Sequence, residues 1–396
     1  MSTNKQTLTL GFLPLLDASP LLLAQELGLF AAEGLKVNLS REASWANIRD
    51  KLYVGSLQGA QLLAPMAISV SLGLNKVKAP LVTGMVLSRN GNAITVSNSL
   101  IEQLRVLNPE ALASPHISVL TLRKLINERT QQGTAALTLA TVYPYSCHNY
   151  LLRYWLAAGG IHPDHDINMV VIPPEQMVAQ LASGRIDGFC VGEPWNQVAV
   201  AQGHGKILLN TWDIWHNAPE KVLAVHGDWA AANEDTHLAL ITATLRACRW
   251  LEEPANRDEA LAILTQPQYL GFTPETLASG FKTGRHQFFR DSANYPWPAH
   301  GTWLLSQMMR WGHVPSTNAD HSFINSIFLS SLFEQACRNV GIPCATEQLY
   351  QIGKHAASWE LGEVTVGADR FIDGIRFNPD DTGAYLQQFA VSNLDS

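Results

Sequence analysis

Three side chains in this sequence could hold an anion: Trp45, His148 and Lys221. Trp45 stands in Ala43-Ser44-Trp45-Ala46 at a predicted helix start. Free amide N–H groups and the partial positive charge of a helix N-terminus suit a negative ligand there. The indole N–H adds one donor; a core tryptophan is the competing reading. His148 falls in the first turn of a second predicted helix, either as an anion donor or as a half-exposed capped histidine. Lys221, in Pro219-Glu220-Lys221, is a surface charge unless a cleft closes on it. Covalent chemistry has less support. Cys147 and His148 are adjacent, and neighbours on a helix point about 100° apart, which separates a thiol from its base. Glu193 could act as an acid or base, but no second carboxylate has a fixed relation to it. Phosphate-loop, dinucleotide, nucleophile-elbow and H-E-x-x-H motifs are all missing. His162 and His165 stand near Asp164 and Asp166 in a polar turn, read as a solvated loop rather than a metal site. A binding role leads over catalysis.

The elements that must position these residues are clearest in Met169–Asn196. Met169–Ile172 reads as a strand, and Pro173-Pro174 turns the chain because proline cannot continue a ladder. Gln176–Ser183 has helical apolar spacing and stops at Gly184. Ile186–Cys190 returns as a strand, ending at Gly192-Glu193-Pro194. Two parallel strands thus deliver Pro174 and Gly192 to one sheet edge, where open α/β sheets bind small ligands. The same grammar occurs earlier: Gly55-Ser56-Leu57-Gln58-Gly59 parallels Gly184-Arg185-Ile186-Asp187-Gly188. One such match carries little weight, whereas two in the two halves of the chain suggest two similar lobes.

Further strands are expected at Leu8–Leu13, Leu35–Leu39, Ala60–Ala64, Leu81–Leu87, Ala93–Val96, Leu137–Thr141 and Ile207–Asn210. Ile101–Arg129 reads as helical, and the chain after His237 is mostly helical. Beyond Ala345 no period is evident; the tail could wrap the first lobe or face a partner. The expected architecture is α/β, with one lobe at residues 7–92 plus 222–340, a second at 93–221, and a C-terminal extension at 341–396. The chain then crosses between the lobes twice, which makes a hinge around a cleft.

At 396 residues, 46% hydrophobic and 15% charged, the chain has ample core. Its net charge of −7 argues against direct nucleic-acid binding. No run of about eighteen apolar residues could span a membrane. Met1–Gln6 is polar and carries no export signal, and the five cysteines are scattered without C-x-x-C spacing. Both features lead to the expectation of a cytoplasmic protein with reduced thiols.

Gly11–Gly28, Ala43–Asp50, Gly91–Val96, Cys147–Gly160 and Val171–Asn196 together resemble the nitrate/bicarbonate-binding proteins of bacterial ABC uptake systems, over roughly residues 7–340. The resemblance implies a two-lobed type II periplasmic-binding-protein-like fold with nitrate or nitrite in the interlobe cleft, no cofactor and no catalysis. The family's ligand positions fall on Trp45, Asn92, His148, Pro174, Gly192 and Lys221. At the Asn92 position the family often has a longer glutamine. The bicarbonate branch carries an acid at the Lys221 position and uses calcium. Lacking an export signal, the chain resembles the cytoplasmic nitrate-sensor branch (NasS type) most. That likeness implies an ANTAR-type, NasT-like antiterminator as partner, released when nitrate binds, and thereby control of nitrate-assimilation genes. The alternatives are a transport receptor and a biosynthetic enzyme on the same fold, such as the thiamine-pyrimidine synthases, whose Cys-rich motif is not found here.

Overall fold

The structure, a computed structural model, describes residues 7–74, 78–315, 321–346 and 351–394; the polar Met1–Gln6 lie outside them. Two five-stranded sheets form the two lobes. The first contains β1 (Thr7–Phe12), β2 (Lys36–Arg41), β3 (Gly59–Leu63), β4 (Leu81–Arg89) and one late strand. The second contains β5 (Asn92–Ser97), β6 (Thr138–Thr141), β7 (Asn168–Val171), β8 (Gly188–Gly192) and β9 (Gly205–Asn210). The late strand, β10 (Pro219–His226), returns to the first sheet. The orders are β2-β1-β3-β10-β4 and β7-β6-β8-β5-β9. Each sheet is parallel except for the strand that has just crossed: β10 runs antiparallel to β3 and β4, and β5 to β8 and β9. The crossings therefore run from Arg89 to Asn92 and from Asn210 to Pro219, which puts Lys221 in the first lobe's sheet and Asn92 in the second's.

The repeated Gly-x-[Leu/Ile]-x-Gly grammar has one physical cause in both lobes. Gly55 and Gly184 adopt positive φ (74° and 69°), which ends the preceding helix at little steric cost. The fourth residue then ties the chain to the neighbouring strand. Gln58 N–H donates to the Thr9 carbonyl at 3.0 Å, and Thr9 N–H donates to Gln58 Oε1 at 2.8 Å. Asp187 N–H donates to the Thr138 carbonyl at 2.8 Å, and Thr138 N–H donates to Asp187 Oδ2 at 2.8 Å. Each motif thus locks the start of a strand, β3 or β8, onto its parallel neighbour. One detail differs from the sequence reading: β6 lies between β7 and β8, so the two are parallel without being paired.

Helix starts follow their caps. Ser44 accepts from Asn47 N–H to begin Trp45–Tyr53, and Ser146 accepts from Asn149 N–H to begin Cys147–Ala158. The stretch read as one helix, Ile101–Arg129, is two, Asn98–Leu107 and Pro115–Gln131. The second starts at Ser114, whose hydroxyl caps it, with proline at its first position. The tail beyond Ala345 covers more than the first lobe. Phe371 stacks on Tyr154 of the second lobe and Trp303 of the helix Pro298–Arg310, and packs on Trp215 of the second crossing. Tyr385 accepts from the Trp303 indole at 2.8 Å, and Asp373 from the Tyr154 hydroxyl at 3.0 Å. The tail is a strap across the hinge side of both lobes. No helix among the described residues is long and apolar enough to cross a membrane.

Candidate anion-binding cleft

Lys221 is where the two lobes meet. Its Nζ lies 2.8 Å from Asp17 Oδ2 and 2.7 Å from Glu220 Oε1, and 5.4 Å from the centre of the Trp45 ring. Burial alone would discharge the lysine, but Asp17 and Glu220 outweigh it and hold the ammonium's pKa above its ordinary value. Asp17 is the middle residue of the 3-10 turn Leu16–Ala18 that follows the exit of β1, and the Gln61 amide on β3 donates to its other oxygen. Gln61 is fixed in turn by Leu13 N–H, which donates to its Oε1 at 2.8 Å. The first lobe thus supplies a braced ammonium with an aromatic face beside it.

The second lobe supplies His148, Asn92 and Gly192. Asn92 and Gly192 are direct partners across β5 and β8. A Cβ on Gly192 would stand 3.4 Å from Asn92 Oδ1 and 3.5 Å from Asp17 Oδ2, so glycine keeps a narrow space clear between the lobes' polar groups. His148 Nδ1 is 3.4 Å from Glu220 Oε1. Burial, with Lys221 adding to it, pushes the His148 pKa well below the usual histidine range, so the ring is neutral. Burial lifts Glu220 above the usual carboxylate range, opposed by Lys221. Two polar groups here, one from each lobe, make no hydrogen bond among the described residues: the Trp45 indole N–H and the His148 ring, one of whose nitrogens is a donor and the other an acceptor while it is neutral. Buried donors left without partners are costly, and such groups mark where a ligand's acceptors fit.

The lobes are closed over this cluster. Trp45, Asn92, His148, Glu220 and Lys221 are each at most 1% exposed. Leu16 N–H donates to the Glu193 carbonyl at 2.9 Å, and the Cys147 thiol to the Pro219 carbonyl at 3.2 Å. On the rim, Arg49 donates to the Tyr143 hydroxyl at 2.9 Å, and Arg41 pairs with Glu175 at 3.4 Å.

Three sequence readings change. Lys221 is no surface charge, nor is it a free cation: one ammonium faces two carboxylates, net −1 when all three are ionised. His148 is fully buried, which removes the half-exposed reading. Trp45 is both a core residue and a potential donor. Pro174 is buried at the first turn of the helix Pro174–Ala182, beside Glu175 on the rim. Cys147 turns its thiol to the Pro219 carbonyl, away from base chemistry, and burial raises its pKa well above normal. Asp17, Gln61 and Glu220 were missed. Asp17 carried one signal, a carboxylate in the exit loop of the first strand. Glu220 carried none, because alternation along a strand sends neighbours to opposite faces.

Residues 2–265 match the NMT1-like family. The chain is 38% identical to the nitrate import ATP-binding protein NrtC of Synechocystis, over 98% of this chain but 56% of that one. It therefore spans little more than half the length of that relative. It is 32% identical to the nitrate/nitrite binding protein NrtA of Synechococcus elongatus, over 96% of this chain and 85% of that one. The crystal structure of the periplasmic nitrate-binding protein NrtA from Synechocystis superposes with a TM-score of 0.83 at 27% identity, covering 98% of this chain and 99% of that one. The fold is accordingly the two-lobed fold of periplasmic binding proteins.

Proposed function

We propose a function from one premise: the chain belongs to the NMT1-like family. It is a binding protein that takes nitrate or nitrite into the interlobe cleft, as a receptor serving ABC-type transport components. The observation that carries this reading is the buried Lys221 ammonium, set beside two buried polar groups, one from each lobe, that have no hydrogen-bond partner among the described residues. Nitrate is planar, with three acceptor oxygens and no proton to give, so it asks for donors and positive charge. The similarity to nitrate/nitrite binding proteins over nearly the whole chain supports the same ligand class.

The test is a thermal-shift titration with nitrate, nitrite, bicarbonate plus calcium, and sulfate. A ligand at 100 times its Kd stabilises the folded state by about 2.7 kcal/mol. Trp45→Phe keeps the ring over Lys221 and removes the indole donor, so it weakens the response to nitrate and nitrite. A response to sulfate alone refutes the reading.

A second role for the same site is a cytoplasmic sensor that releases an ANTAR-type antiterminator on nitrate binding. It is supported by five free cysteines, four of them buried, which suits a reducing compartment. Fractionation of the native product, with capture of the antiterminator in the presence and absence of nitrate, separates sensor from receptor.

A further inference from the structure

We infer that anion binding in this cleft takes up one proton from solvent, held by the carboxyl of Glu220. The inference rests on the anion-binding reading of the cleft and adds how the site is regulated. Its basis is a charge balance. Lys221 is already neutralised by Asp17 at 2.8 Å and Glu220 at 2.7 Å, so with all three ionised the cluster repels an anion. Nothing dilutes that repulsion, because every member is buried. One added proton brings the cluster to neutrality. It also turns Glu220 from a carboxylate that can only accept into an acid that can donate, which is what nitrate lacks.

Several charged or titratable groups face Glu220 from the two lobes. From the first lobe, Asp17 is held by Gln61 and Lys221. Lys221 itself is held charged by its two carboxylates. From the second lobe, burial pushes the thiols of Cys147 and Cys190 up, and His148 down, so all three are neutral. His286, which sits against Gly91 and feels Lys221, is pushed down to about 3 and is neutral as well. Glu220 lies between Lys221 and His148, with opposing influences upon it: burial and Asp17 favour the acid, Lys221 and Asn92 the carboxylate. A bound anion adds a negative charge and tips that balance towards the acid. The proton then lies on Glu220, within reach of His148 Nδ1 at 3.4 Å or of the anion.

The experiment is calorimetry of the full chain with potassium nitrate, in two buffers of different ionisation heat, from pH 6.5 to 9. The expected result is a buffer-dependent heat whose slope approaches one proton per nitrate as pH rises. Affinity then falls by up to about tenfold per pH unit. Glu220→Gln, which keeps the size and removes the charge, is expected to bind at least as tightly and to lose both dependences. Nitrate binding with the same heat in both buffers and a flat pH profile overturns the inference alone. A Glu220→Gln protein that retains the full pH slope also overturns it, by placing the proton elsewhere. No nitrate heat at any pH overturns the anion reading together with it. The wild-type buffer comparison decides the matter even where Glu220→Gln does not fold.

Discussion

Glu220 and Lys221 are consecutive residues of β10, yet their charged ends lie 2.7 Å apart. Side chains that follow one another on a regular strand point to opposite faces of the sheet. Here the register of β10 against β4 shifts on both sides of Lys221. Such a bulge re-aims a side chain. It brings both charges to the cleft at the point where the chain re-enters the first lobe.

The first prediction concerns the ion cluster. Lys221→Ala leaves Asp17 and Glu220 buried without their cation. Removing one partner of a buried ion pair costs about 3–5 kcal/mol. Urea unfolding at pH 8 measures it. Adding Asp17→Asn to Lys221→Ala should recover part of the loss. An Ala variant as stable as wild type would show that the cluster is solvated.

Closure can be tested separately at the rim. Arg49, on the helix Trp45–Tyr53 of the first lobe, donates to Tyr143 of the second. A net hydrogen bond is worth about 0.5–1.5 kcal/mol, so Arg49→Ala should weaken nitrate binding roughly 2- to 13-fold. Unfolding free energy should hardly change, because the helix stays packed. Small-angle scattering at saturating nitrate should give the same compact form as wild type, reached at higher ligand concentration.

Glu193 makes stability depend on pH. Burial lifts its carboxyl from 4.5 to about 7, despite hydrogen bonds from Gln197 and Thr283. A carboxyl with a raised folded pKa contributes stability that is full below its unfolded pKa. That contribution is lost as pH rises through the folded value. Between pH 5 and 8 the loss amounts to about 2–3 kcal/mol. Glu193→Gln should remove that part of the slope, as denaturation at the two pH values would reveal. An unchanged slope would mean that Glu193 reaches solvent.

The strap across the hinge should be part of the core. Phe371 is 1% exposed, its ring centre 5.0 Å from that of Trp215 and 5.5 Å from that of Trp303. Phe371→Ala should cost about 3–5 kcal/mol, as large-to-small core changes do. A change within 1 kcal/mol would argue that the tail detaches readily.

Much of the scaffold was legible in the chain itself, because it depends on neighbours. An alternating run places β1 and a short run after Gly59 places β3, each to within a residue or two. The caps Ser44 and Ser146 mark where their helices begin. The twin glycine motifs announced two similar lobes, since a positive-φ stop and a strand-locking side chain are local requirements. Trp45 and His148 could be singled out one at a time because each stands at the start of a capped helix, whereas Asn92 came only from the family resemblance. What surrounds Lys221 was not legible. Asp17 is 204 positions away and arrives only because β1 lies beside β3 and β3 beside β10. Glu220 is adjacent in sequence but reaches Lys221 only through a break in register against β4, beside regular pairing with β3, so a partner strand rather than β10 alone sets it. Local chemistry therefore determined which elements form and which donors they carry. Tertiary packing decided the net charge those donors face, because charge balance depends on distances in space.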